Sequence, residues 1–261
     1  MSDSLNGQWQ RPSIRDLGTW FAAAGSRPAT DGKRWLSWPW IASHREPKDL
    51  SDFTYSGPLC IPRQWDFQDD GTITQRVPDE VVHALYSMPN EYPKSLERAK
   101  PVVGKWKLTD GNTANSLDPS GGILKLADTP DNFYFEADVM LNSTDMEAHF
   151  LMSYKDDLER SIFQNRWACY YISLNPRENL IKLEDADAIA RSLEILPIKL
   201  EPNRPIKLRV FRSGPILEVF VDNKAVLTHR LYRYNEGGLA LEFIDGTGEF
   251  ANIIIRRLAP I

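Results

Sequence analysis

The sequence predicts an all-β protein built mainly as two antiparallel sheets packed face to face. Three observations carry that prediction. Aromatic residues make up 11% of the 261-residue chain. Its 18 prolines are spread among short segments. Apolar and polar residues alternate in runs bounded by turn signals, the period-two pattern of a half-buried strand.

The alternation is clearest in Phe133–Leu141. Phe133, Phe135, Ala137, Val139 and Leu141 point one way, and Glu136 and Asp138 the other. His149 to Tyr154 and Trp167 to Leu174 read as the next aromatic strands. Ile206, Leu208 and Val210 define one strand face, and Leu217, Val219 and Val221 define another. The turn Asp222-Asn-Lys224 returns the chain into Ala225 to Tyr232. Leu239, Leu241 and Phe243 lead into Asp245-Gly-Thr-Gly248, a turn of residues that tolerate positive φ, and Phe250 to Arg257 is a final strand. At least seven strands therefore lie between about 100 and 258, with turn signals about every 8–12 residues, the spacing of a β-sandwich. Asp185 to Glu194 is expected to link strands as a loop.

The first hundred residues read differently. Trp20 to Ala24 and Arg34 to Ile41 are expected strands on either side of Ala29-Thr-Asp-Gly-Lys33. Leu59 to Phe67 and Thr72 to Arg76 form an expected hairpin, which the sandwich is expected to recruit. Pro78 to Leu85 is an expected short helix. The resulting organisation is a small β piece over 1–57, a hairpin and connector over 58–100, and the sandwich over 101–261. Trp9, Trp20, Trp35, Trp38 and Trp40 crowd the small piece. So short a β segment cannot cover that much aromatic surface by itself, so the sandwich or another chain must.

Charge and composition exclude several functions. With 36 acidic and 31 basic residues the net charge is -5, and no basic stripe suggests nucleic acid. No apolar run approaches the ~20 residues of a membrane span. Met1 to Asn6 lacks a basic-then-apolar leader, so the cytoplasm is the expected location. Cys60 and Cys169 are far apart and are expected to be buried thiols. His44, His83, His149 and His229 have no metal-pair spacing, and the sequence holds no Gly-x-Ser-x-Gly elbow. Asp185 and Asp187 lack the glycine-bearing ladder of a calcium loop. Gly121-Gly122 follows no phosphate-loop pattern. No cofactor and no metal is expected.

Three segments of the N-terminal region carry a resemblance. They are Arg34-Trp-Leu-Ser-Trp-Pro-Trp40, Gly57-Pro-Leu-Cys-Ile-Pro-Arg63 and Asp70-Gly-Thr-Ile-Thr-Gln-Arg-Val-Pro78. Leu217-Glu-Val-Phe-Val-Asp-Asn223 with Leu227-Thr-His-Arg-Leu-Tyr232 adds a fourth, late in the sandwich. In this order, across about 20–258, they resemble glycoside hydrolase family 32, the family of invertases and levanases. The resemblance implies a partial propeller blade followed by a concanavalin-like sandwich. It also implies partners: a carbohydrate such as a fructan or a sucrose-like sugar, and a propeller chain or second copy meeting the blade.

The family's catalytic carboxylates lie in Asn-Asp-Pro-Asn-Gly, Arg-Asp-Pro and Glu-Cys motifs, and none occurs here. Arg15-Asp-Leu17 lacks the proline, and Asp118-Pro-Ser120 lacks the preceding asparagine. The resemblance therefore implies a supporting portion or subunit of a fructosidase-like enzyme, inactive alone, with no catalytic residue assigned. A non-catalytic, lectin-like sandwich is the alternative. Trp38, Trp40, His44 and Tyr55 are the candidate sugar-binding residues, since they lie on or beside the strand resembling the family's cleft-side blade. The competing reading makes these tryptophans blade core. A third reading is a sandwich glycanase using Glu136 and Asp138. Alternation sets that pair about 6.5–7 Å apart, but Leu141 stands where a third acid would be needed. The competing fate of that pair is a solvated outer face.

Overall fold

The computed structural model describes residues 21–41, 59–88, 94–155, 169–185, 191–231 and 237–259. The chain begins with a four-stranded antiparallel sheet in sequence order, β1 (Phe21–Pro28), β2 (Trp35–Ile41), β3 (Arg63–Phe67) and β4 (Ile73–Arg76). The 63–76 hairpin thus completes the small sheet and adds no strand to either sandwich sheet, while its Arg63 docks on the sandwich. Its β3 pairs with β2 through Ser37 opposite Arg63 and Trp35 opposite Trp65. Helices α1 (Asp79–Ser87) and α2 (Lys94–Glu97) then lead into the sandwich.

Two seven-stranded sheets form the sandwich. The sheet nearer the small one, here the proximal sheet, contains β6 (Trp106–Thr109), β7 (Thr113–Ser116), β9 (Phe133–Leu141), β14 (Ile206–Ser213), β15 (Ile216–Val221), β16 (Ala225–Arg230) and β18 (Gly248–Arg257). Its spatial order is β16-β15-β14-β9-β18-β7-β6. The distal sheet contains β5 (Lys100–Val103), β8 (Gly121–Lys125), β10 (Glu147–Tyr154), β11 (Tyr170–Asn175), β12 (Leu180–Asp185), β13 (Arg191–Pro197) and β17 (Gly238–Ile244), ordered β13-β12-β11-β10-β17-β8-β5.

The core lies between these sheets and uses the parity read from the sequence. Phe133, Phe135, Val139, Leu208, Val210, Leu217, Val219, Val221, Leu239, Leu241 and Phe243 all belong to one buried cluster. Phe135 stacks on Phe150 across the sheets, ring centroids 4.1 Å apart. The β15–β16 hairpin turns on Asp222 and Asn223, both at φ 53°, the left-handed pair that matches strand twist. Gly121 sits at φ 89° beneath β17, where a Cβ would stand 2.0 Å from the Phe243 carbonyl oxygen.

The strands that the alternation did not reveal are β5 to β8, β12 and β13. Most of them are short, and β5, β6 and β13 run along sheet edges. Lys100-Pro-Val-Val103 carries the lysine and proline that keep an edge from pairing further. Asp185 to Glu194 is not wholly a loop, because β13 already begins at Arg191. A bulge between Leu183 and Glu184 breaks the alternation there.

Val219 has no exposed surface and sits in the middle of the core. Val219→Ala is expected to destabilise the fold by about 1–3 kcal/mol, read as a lower urea midpoint with an unchanged slope.

Candidate functional site

The small sheet is fastened to the outer face of the proximal sheet through one arginine. Arg63 on β3 is fully buried. Its Nη2 donates to Glu218 Oε2 at 3.1 Å and to Thr228 Oγ1 at 2.5 Å. Its guanidinium lies over the Phe220 ring, 5.9 Å from the centroid. The other Glu218 oxygen accepts the Ile61 N–H at 2.7 Å. Burial pushes the Glu218 carboxyl above its ordinary range, against the pull of Arg63 and the Ile61 amide. Burial also raises the Cys60 thiol, and the neighbouring Glu218 charge adds to it. Apolar contact among Ile41, Cys60 and Ile216 seals the junction beside the ion pair. A main-chain bond from Gln75 N to Lys224 O, 3.2 Å, ties β4 to the β15–β16 turn.

Alternation on β2 follows from this docking. Ser37 and Ile41 face the sandwich and are buried, so Leu36, Trp38 and Trp40 face away. Trp40 is 46% exposed. Trp38 is half-buried, with the Arg27 guanidinium 5.7 Å from its ring centre. Trp35 shares the sandwich-facing parity but, at the start of the strand, remains 41% exposed. Asp66 holds Gln64 and Arg76 together on the far face. Of the four candidate sugar-binding residues, Trp38 and Trp40 thus share this face. His44 and Tyr55 lie outside the described residues.

Glu136 and Asp138 occupy the outer face of β9, but that face is not solvated at Glu136. Helix α1 and the small sheet cover it, with Val77, Leu85, Tyr134, Phe211, Phe220 and Val226 in one apolar cluster. Glu136 is 2% exposed. It accepts from Tyr86 at 2.8 Å, Arg209 Nε at 2.8 Å, Lys207 at 3.2 Å and the Tyr134 hydroxyl. Burial would raise its pKa, but bonds from Tyr134 and Arg209 outweigh that and hold it at about 2. Asp138 accepts from Asn252 at 2.7 Å and pairs with Lys207 at 2.7 Å. A carboxylate so saturated with donors has no proton to give and no open lone pair for a substrate. The pair anchors α1 and neighbouring strands to one another.

A second ionic cluster, unforeseen from the sequence, lies on the outer face of the distal sheet. His149 on β10 has no exposed surface. Its Nδ1 meets Glu242 at 2.6 Å and its Nε2 meets Glu147 at 3.0 Å. Glu147 also accepts from Ser173 at 3.0 Å and Asn175 at 2.8 Å. Burial alone would lower the His149 pKa, but the two carboxylates raise it to about 9. The imidazole is therefore a fixed cation at neutral pH. Glu147 and His149 share strand parity, a visible signal, but Glu242 joins them only because β17 pairs opposite β10. Elsewhere, His229 on β16 meets Glu194 on β13 at 2.9 Å and links the two sheets at one side. Among the described residues no group of three or more His, Cys, Asp or Glu side chains is placed to hold a metal ion.

No protein-family model matches the chain. A levanase of Bacillus sp. (strain L7) is 24% identical over 160 residues, 60% of this chain and 16% of the levanase. Fructan 1-exohydrolase IIa from Cichorium intybus superposes with a TM-score of 0.61 at 15% identity, over 98% of this chain and 52% of that enzyme. The carbohydrate-binding module CBM66 from Bacillus subtilis superposes with a TM-score of 0.51 at 14% identity, over 60% of this chain and 94% of the module. The resemblance to glycoside hydrolase family 32 therefore holds at the level of fold, with the sandwich matched by the binding module.

Two expectations follow from the ionic groups. Removing one member of a buried pair typically costs about 3–5 kcal/mol, because the other is left uncompensated. Arg63→Ala should therefore release the small sheet, read as hydrogen-exchange protection lost in β3 and β4 but retained in β9. His149 has a folded pKa of about 9 against an ordinary 6.5. Its contribution is complete below pH 6.5 and declines as pH rises through 9. Stability of the wild-type chain should fall across that window, and His149→Gln should flatten the fall.

Proposed function

We propose that this chain is the non-catalytic C-terminal portion of a fructosidase-like glycoside hydrolase and braces a propeller that supplies the chemistry. The observation that carries this reading is the docked small sheet. One of its faces is spent on the sandwich through Arg63 and Glu218, while the other presents Trp38 and Trp40. A propeller blade buries both faces against neighbours, and an exposed apolar patch with tryptophan anchors is a partner surface. The similarity to the levanase and the fructan exohydrolase supports the enzyme class. The chain spans 16% of the first and 52% of the second, and the family's carboxylate motifs are absent from its sequence. The saturated state of Glu136 argues in the same direction.

A second reading, a carbohydrate-binding sandwich without hydrolysis, is favoured by the match to the binding module, 94% of which is covered. Both readings make the isolated chain inactive. Purified protein should release no reducing sugar from sucrose, inulin, levan or an aryl fructoside. Turnover that disappears in Glu136→Gln or Asp138→Asn would overturn both and restore the glycanase reading.

Association separates the two. If the far face of the small sheet is a docking surface, the chain should self-associate or bind a propeller chain at tens of micromolar by light scattering. Trp40→Ala, at an exposed position, should weaken that association without lowering the melting midpoint. A strict monomer that also fails to bind a family 32 propeller would sink the bracing role.

A further inference from the structure

We propose that one end of the sandwich carries a binding pocket for a neutral polyol of monosaccharide size, separate from the tryptophan face. The pocket lies where β9 begins, β14 turns into β15 and β16 ends. A cavity of about 530 Å³ opens there, lined by Asp131, Asn132, Arg212, Pro215 and Arg230. That volume falls in the ~300–1,000 Å³ range of small-molecule sites.

The walls are held in place before any ligand arrives. Gly214 N donates to Asn132 Oδ1 at 2.6 Å, and Leu231 N donates to the Pro215 carbonyl at 2.6 Å. Leu258 N donates to the Asn132 carbonyl at 3.0 Å. Behind the cavity, Arg212 Nη1 donates to Ser153 Oγ at 2.9 Å. Ser153 sits at φ 58°, a region that residues other than glycine adopt rarely. Gly237 lies against it, where a Cβ would stand 2.6 Å from the Ser153 carbonyl oxygen. An unusual backbone crossing thus positions the hydroxyl that orients the arginine.

The lining decides the ligand chemistry. Asp131 only accepts hydrogen bonds, the guanidinium groups only donate, and Asn132 spends its carbonyl oxygen on Gly214. A hydroxyl both donates and accepts, so vicinal hydroxyls can donate to Asp131 and accept from Arg212 or Arg230. A phosphate or sulfate would meet the Asp131 charge, and an apolar ligand would cover the Asp131 carboxylate without offering it a donor. The Pro215 ring offers an apolar patch for the C–H face of a sugar. The proposal does not depend on the propeller reading, since nothing in it involves the small sheet.

The test is titration of the purified chain with D-fructose, D-glucose, D-mannose and D-galactose, followed by heteronuclear NMR. At least one sugar should bind saturably, with shifts centred on residues 131–132, 212–215 and 230. Asp131 is exposed, so Asp131→Ala should keep the melting midpoint. It should weaken binding about tenfold, the order expected for loss of one charged hydrogen-bond partner. Arg230→Gln should act likewise and serves if Asp131→Ala does not fold. Failure of all four sugars to saturate, or unchanged affinity in a folded variant, would overturn the proposal. So would inorganic phosphate binding at this end and tightening in Asp131→Ala, which would mark an anion site. A chain that binds sugar here but neither self-associates nor binds a family 32 propeller would leave this pocket standing while removing the bracing role.

Discussion

The placement of the small sheet on the sandwich depends on an arginine taken fully out of water. A small sheet laid on a sandwich could slide or peel away if only apolar side chains joined them, because such contact is non-directional. Arg63 prevents that. Its guanidinium has one productive position, between Glu218, Thr228 and the Phe220 ring. Glu218 in turn is fixed by the Ile61 amide from the segment just before β3. A buried ion pair is a poor source of net stability, because desolvation offsets most of its attraction. Its value lies in register, because any other alignment of the two sheets would leave both charges buried and unpaired.

That junction explains why the outer face of the proximal sheet departs from the usual pattern. A half-buried antiparallel sheet normally leaves its polar side to water. Here the small sheet and α1 cover that side, so its polar residues must find partners within the protein. Glu136 does so with Tyr86, Tyr134, Lys207 and Arg209. Burial first, and then the Glu136 charge, raises the Tyr134 hydroxyl, while bonds from Tyr134 and Arg209 lower Glu136 against its own burial. Each shift favours a carboxylate accepting from a neutral phenol.

The sequence disclosed most of what depends on short-range periodicity. The parity of Phe133–Leu141, the faces of β14 and β15 and the Asp222-Asn223 turn are all local signals, and each appears in the structure as read. Edge strands such as Lys100–Val103 and Trp106–Thr109 are too short and too polar to show a period. Pairing across distance was equally hidden. The ion pair between Arg63 and Glu218 spans 155 positions, and His149 and Glu242 are 93 apart. Glu136 shows the same limit: alternation shows which face a side chain takes, but not whether another layer will be laid over it. The tryptophans of the small sheet were legible as too many to bury, but the face each one takes came only from the docking of Ile41 and Ser37.

The remaining surfaces differ in what they can offer a ligand. The proximal face is occupied by the chain itself. On the distal face Leu151, Tyr171 and Ala240 are buried, and beside them His149 is already neutralised by Glu147 and Glu242. A sugar binding there would have to break charge-assisted bonds worth more than the hydroxyl contacts that replace them. Among the described residues, the far face of the small sheet presents Trp40, and the loop end around Asp131 and Pro215 lines an open cavity. The first offers aromatic area with little hydrogen bonding, suited to a broad protein contact. The second offers mixed donors and acceptors around an open cavity, suited to a small polar molecule. The two surfaces share no residue, so a substitution on one leaves the side chains of the other unchanged.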